Sequence, residues 1–291
     1  MRKFNENFYT TYKNFIITHK KNFNINRFKK FGIIKGCRVN KYFREYDIFN
    51  SKLKFKKLIV ITLKSPTHKL NNIVTDLGKK YDWDIIKYIL EVFPFKNKYE
   101  FYLDDWLNFL LKNIDNKNFN QKYIFDPNYG KIVRYKNIIK NIVGHSVLDV
   151  GTSIGFLPLL IKIKYNYFDV TASDINNIDF IRKFVEKKNI DIRVIKLDIT
   201  NREDCQREKY DTVVFSHVLE HLSKKTNEIV FKNLMKLAKK RIIVVVPFEK
   251  VIENVGHLQR FDVKKILQIS NKFCFGCSIK FLDSLLIIDK K

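Results

Sequence analysis

The chain has 291 residues, 45% of them apolar, enough for a sizeable core in one large domain or a domain with an extension. Its longest apolar runs, such as 58–63 and 242–247, are far too short to span a bilayer. Lys and Arg number 56 against 30 acids, a formal charge of +26, which invites a polyanionic partner. The same chain is rich in Lys, Asn, Ile and Phe and has only 9 Gly and 5 Pro. That profile reads as compositional bias, so nucleic acid is the alternative partner rather than the leading one. Four cysteines (Cys37, Cys205, Cys274 and Cys277) give no disulfide framework. The Cys274–Cys277 pair lacks the second pair or spaced histidines of a zinc site and reads as ordinary core. The basic start, 1–30, lacks the compact apolar stretch of a signal peptide, and the expectation is a cytoplasmic protein.

Residues 1–57 show no clear period. Lys56–Leu63 reads as a buried strand from its β-branched content, and Ser65-Pro66-Thr67 as a turn. Apolar residues at helical spacing predict helices over 82–93, stopped by Pro94, and over 103–114. Residues 1–121 are therefore expected to form a folded, basic α+β accessory region without a catalytic constellation. A polar stretch at 115–125 serves as a linker, and a second domain spans 126–291.

That domain opens with a helix over 131–142 and a strand, Ser146–Val150. A turn with Gly151 and Gly155 follows, then an apolar helix over 157–163. Strand, glycine turn and helix let a backbone approach a nucleotide-like ligand, because glycine lacks Cβ. The second strand, 168–174, ends in Asp174, about 20 residues past Gly151, as a ribose-binding acid requires. Strands over 192–199, with Asp198 near its end, and 210–216 come next. A helix over 218–237, a strand over 241–246 and a closing pair of strands, 279–282 and 284–288, complete the pattern. This alternation predicts an α/β, Rossmann-like, mostly parallel seven-stranded sheet with helices on both faces.

Two phrases carry a family resemblance. Val147-Leu148-Asp149-Val150-Gly151 resembles the first motif of the class I S-adenosylmethionine-dependent methyltransferases. The segment 210–222, Tyr-Asp-Thr-Val-Val-Phe-Ser-His-Val-Leu-Glu-His-Leu, resembles the fourth-strand motif of their small-molecule branch. The resemblance covers about 126–291 and implies S-adenosylmethionine as cofactor. It implies that Gly151 and Gly155 line the methionine part and that Asp149 anchors its ammonium. Asp174 would hold the ribose hydroxyls, and Asp198 with the backbone of Ile199 would read the adenine. Ser216 and His217 would lie beside the methionine end. The family's middle glycine is Ser153 here, a small residue compatible with binding. The full G-x-G-x-x-G of a dinucleotide site is absent.

His217, Glu220 and His221 stand at i, i+3 and i+4 and would share one face of a helix. Their H-x-x-E-H string also matches an inverted zinc-protease pattern, which the preceding strand context argues against. The preferred expectation is a metal-free helix start beside the cofactor. Ubiquinone-pathway and small-RNA 2′-O-methyltransferases carry a similar E-x-x-E-H cluster, which keeps a divalent metal as the alternative. His217 in place of the first Glu disfavours a hard cation. His257 follows a loop at the carboxyl edge of the sheet and is the second catalytic candidate with His217, as a base for a hydroxyl or amine. The expected activity is methyl transfer to a small-molecule or glycan-like acceptor. RNA 2′-O-methylation and a non-catalytic cofactor-binding module are the alternatives.

Overall fold

The computed structural model describes residues 9–12, 15–19, 33–39, 43–49, 57–61, 98–120, 130–176, 178–206, 208–248 and 257–291. The helix expected at 82–93, the turn at Ser65-Pro66 and the end of the polar stretch at 121–125 lie outside them, as does most of the loop before His257. The chain divides into two compact units, 1–106 and 107–291.

In the first unit, strands β1 (Tyr9–Tyr12), β2 (Phe15–His19), β3 (Ile33–Val39), β4 (Phe43–Phe49) and β5 (Lys57–Ile61) form one sheet in the order β1-β2-β5-β4-β3. Only β2 and β5 pair in parallel. The strand expected at 56–63 is β5. The four strands before it were not legible, because no alternation of apolar and polar residues marks them. Helix α1 (Lys98–Asn113) begins earlier than residue 103 and spans the division between the units.

The second unit is built on strands β6 (Ser146–Val150), β7 (Asp169–Asp174), β8 (Arg193–Lys196), β9 (Tyr210–Ser216), β10 (Ala238–Val245), β11 (Ser278–Leu282) and β12 (Leu285–Asp289). Helices α2 (Gly130–Lys140), α3 (Phe156–Lys164), α4 (Ile178–Lys188), α5 (Asn227–Leu237) and α6 (Val263–Phe273) connect or precede them. The sheet order is β11-β12-β10-β9-β6-β7-β8. Strands β8, β7, β6, β9 and β10 run parallel, and β12 is antiparallel to both β10 and β11.

The central strands are apolar because both of their faces are covered. In β6 every residue after Ser146 is buried, and β9 buries Thr212 to Phe215. Leu148, Phe215, Phe231, Leu234 and Val244 belong to the core between β9, β10 and α5. The start of β6 is pinned by Asp211 of β9, whose carboxylate accepts from the N–H groups of His145 (2.9 Å) and Ser146 (3.2 Å). These bonds and Lys240 hold that carboxyl well below the usual carboxylate range. The β11–β12 hairpin turns at Asp283 and Ser284, with φ of 50° and 67°, the two-residue geometry that matches strand twist.

Cys274 closes α6 and Cys277 precedes β11. Burial pushes the Cys274 thiol up to about 12 and raises that of Cys277, the reverse of a reactive cysteine. No helix among the described residues is long and apolar enough to cross a membrane.

Candidate active site

The strand order reverses at β6: one crossover leads outward through β7 and β8, the other through β9 and β10. Open α/β sheets bind ligands at such a point, outside the carboxyl ends of the strands. That edge carries Gly151–Gly155 after β6, Asp174 at the end of β7, Asp198 after β8 and His217 after β9.

The turn after β6 depends on its glycines. Gly151 has φ 73°, and a Cβ on it would stand 2.3 Å from Cγ2 of Val218. Gly155, φ 89°, starts α3. Ser153 replaces the family's middle glycine and adopts φ 57°, a left-handed conformation that side chains seldom take. A network holds it there. The N–H groups of Gly151 and Thr152 both donate to the carbonyl of Ser173, at 2.8 and 2.9 Å. The N–H of Ser153 donates to Oδ2 of Asp174 at 2.8 Å, and the N–H of Asn176 donates to Oδ1 at 2.9 Å. Asp174 thus braces the glycine turn as well as ending β7. Its remaining lone pairs suit two ribose hydroxyls. Ile175 beside it is 51% exposed, an apolar surface at the ligand edge.

Asp149 is buried one residue before the end of β6. Burial raises its pKa to about 7; the Thr152 side chain works against that rise, and the charge of Asp174 adds to it. An anion confined in this way fits a ligand ammonium. Asp198 is less committed. Its Oδ1 accepts from the N–H (2.8 Å) and hydroxyl (2.7 Å) of Thr200, which shapes the turn after β8. The carbonyl of Ile199 accepts from Asn233 at 2.9 Å, fixing that backbone against α5. A glycine where a Cβ would collide, a buried acid, the acid that ends β7 and the acid after β8 fit a ligand with an ammonium, a ribose and a base.

The segment after β9 departs from expectation. A continuous helix over 218–237 does not form. Ser216 ends β9, and His217 takes φ 57°. A single 3-10 turn covers Leu219–His221, another Lys224–Thr226, and α5 begins only at Asn227. His217, Glu220 and His221 therefore do not share a helix face. The cause lies far along the chain. Gln259, 1% exposed, donates through the two N–H groups of Nε2 to the carbonyl of Leu222 (2.8 Å) and Oδ1 of Asn227 (2.9 Å), with the carbonyl of Leu219 sharing one of them at 3.2 Å. The carbonyl of Leu222 is thereby satisfied without a helical partner, while that of Leu219 also accepts from the N–H of Leu222 at 3.2 Å. The N–H of Leu258 donates to the carbonyl of Glu220 at 2.7 Å.

This staple brings His257 to the turn. The rings of His221 and His257 meet edge to face, centroids 4.8 Å apart. His217 Nδ1 lies 3.1 Å from Oε1 of Glu220, which is 1% exposed. Val218, flanked by His217, covers Gly151, so the glycine turn and the histidine turn are adjacent. Gln259 was missed in the sequence because nothing about a lone Gln marks it as buried. Lys131 was missed for the same reason. It is buried, lies over the Phe156 ring at 4.2 Å, and has a pKa lowered well below that of an ordinary lysine by burial and by Arg134.

A family model described as a methyltransferase domain matches residues 96–251, a little over half the chain. The chain belongs to the methyltransferase-domain family. The protein is thus a class I S-adenosylmethionine-dependent methyltransferase, and its seven-stranded sheet is the fold of that class. No curated protein matches the chain. Among solved structures it is similar to magnesium protoporphyrin IX methyltransferase (ChlM) from Synechocystis PCC 6803 with bound SAH. Identity there is 18%, coverage 59% of this chain and 83% of that one, and the TM-score 0.43. It is similar at 18% identity to the methyltransferase domain of bacterial CtHen1-C, covering 54% and 96%, with a TM-score of 0.44. The pyocyanin biosynthetic protein PhzM is similar at 11% identity, covering 64% of this chain and 62% of that one, with a TM-score of 0.46.

Proposed function

We propose that this methyltransferase acts on a hydroxyl or amine of a small-molecule or glycan-like acceptor, with the acceptor held at the histidine turn. The observation that supports the reading is the packing of Val218 against Gly151, since Val218 is followed by Glu220 and His221 and the latter meets the ring of His257. Bound there, S-adenosylmethionine supplies a methyl group on a sulfonium, whose departure as a neutral thioether asks little of the protein. What the chain contributes is placement. Asp149 takes the ammonium, Asp174 takes the ribose hydroxyls while holding Ser153 in place, and Asp198 with the backbone of Ile199 borders the adenine. Ser216 and His217 border the methionine end.

On the acceptor side, an attacking hydroxyl must lose its proton. His257 serves that need, directly or by holding a group that lowers the hydroxyl's pKa, and His217 keeps Glu220 oriented toward it. Holding the two reactants in line provides much of the acceleration. Leu258, 59% exposed beside His257, offers an apolar surface for the acceptor.

Incubation of labelled cofactor with fractionated extract tests the reading. Label in a low-molecular-mass or glycan fraction supports it, and the His257→Ala protein should lose turnover while keeping cofactor affinity. Label that enters only RNA overturns the acceptor class.

A further inference from the structure

We propose that Asn233 and Asp204 are positioning residues that make the turn after β8 selective for an adenine base. The inference rests on the placement of that base beside Asp198 and Ile199 proposed above. What the two residues add is the fixed orientation of one peptide group.

The polar atoms around that peptide are largely taken. The N–H of Asp198 donates to Oδ2 of Asp204 at 3.0 Å, and its carbonyl accepts from the N–H of Asn201 at 2.9 Å. Oδ1 of Asp198 accepts twice from Thr200. The carbonyl of Ile199 accepts from Nδ2 of Asn233 at 2.9 Å, across 34 positions of sequence. Among the described residues, no partner meets Oδ2 of Asp198 or the N–H of Ile199. One acceptor and one donor on consecutive residues are thus left for a ligand. Adenine offers their complement, an amino group beside a ring nitrogen that accepts. An oxopurine reverses both groups and sets donor against donor and acceptor against acceptor.

The peptide that carries the free N–H lies between two anchored neighbours. Asp204 holds the one before it and Asn233 the one after it. Asn233 is fully buried in α5, and its Oδ1 is buried without a hydrogen-bond partner. The amide cannot turn over, because the Ile199 carbonyl requires its N–H side. An unmet buried acceptor costs stability, so core packing alone favours an apolar side chain at this position. The bond to Ile199 is what the amide provides.

The test compares S-adenosylhomocysteine with S-inosylhomocysteine, its oxo counterpart, by calorimetry on the full-length protein. The wild-type protein should prefer the adenine form by at least about 100-fold, since paired polar groups reject a mismatched edge. Asn233→Leu keeps the branched shape without a donor, and Asp204→Ala removes the acceptor of the Asp198 N–H. Each should narrow that preference by about 10-fold, through weaker binding of the adenine form. Asp204→Asn keeps an acceptor and should restore it. A change in stability alone moves both ligands together, so Asp262→Ala, at the N-cap of α6, should leave the preference intact. Asp204 is half-buried in a turn, so its variants decide the matter even where Asn233→Leu fails to fold. A wild-type preference that persists in Asp204→Ala, or losses equal for both ligands, overturns the positioning roles alone. A wild-type protein that binds both forms equally, or neither, overturns the adenine placement and this inference with it.

Discussion

Asp149 titrates where few carboxyls do. Its folded pKa of about 7 stands above the ordinary value of 3.8, so the folded chain keeps a proton that the unfolded chain has released. Stability from this group is present below about pH 4 and is lost as pH rises through 7, by about 1.4 kcal/mol for each tenfold difference in proton affinity between the two states. An ammonium ligand favours the anion and reverses that preference. Cofactor affinity is therefore expected to rise between about pH 5.5 and 7.5, with proton release on binding. Calorimetry in two buffers of different ionisation enthalpy measures that release, and Asp149→Asn should abolish both the release and the slope. Gly151→Ala tests the turn. Its Cβ would meet Val218, and its φ of 73° is strained for alanine, so a loss of about 1–3 kcal/mol is expected in denaturant unfolding. Adding Val218→Ala should recover the steric part and leave the backbone part. An unchanged midpoint in the single variant would mean that the turn shifts freely.

Among the elements, the 3-10 turn Leu219–His221 and the segment from His257 act as one piece because Gln259 joins them. Gln259→Leu keeps apolar volume but strips the donor from the carbonyl of Leu222 and from Asn227 Oδ1. Leaving buried acceptors unmet costs about 1–3 kcal/mol each. The variant should unfold at lower denaturant and lose turnover through a displaced His257. Retained activity at reduced stability would show that the staple is structural only. Helix α6 has a simpler device. Asp262 accepts from the N–H of Lys265 at 2.7 Å as its N-cap, and Asp262→Ala should cost about 1 kcal/mol with activity unchanged.

At the scale of the whole molecule, the charge of +26 makes a prediction that separates bias from footprint. Binding to RNA should fall steeply with salt and be equal for unrelated sequences of one length, because phosphate contacts carry no sequence information. A filter-binding series at several salt concentrations reads this, and a salt-resistant preference for one RNA would count against bias.

How much was legible differs from one part of this molecule to the next. Strands β6 and β9 are readable with their bounds, because a strand covered on both faces must be apolar along its length. Gly151, Gly155 and Asp174 are legible as parts of one turn, because left-handed backbone angles and a strand-end acid that accepts from the N–H of Ser153 constrain residue type locally. The stretch 218–222 is misleading. Its spacing fits a helix, but the partner that breaks it sits 37 and 40 residues away in sequence. Sequence by itself determined the central strands and the glycine turn between β6 and α3, since strand periodicity and glycine geometry act over a few residues. Only tertiary structure decided the turn where His257 meets His221, because a buried glutamine from a distant segment takes the carbonyl of Leu222, where local spacing favoured a continuing helix.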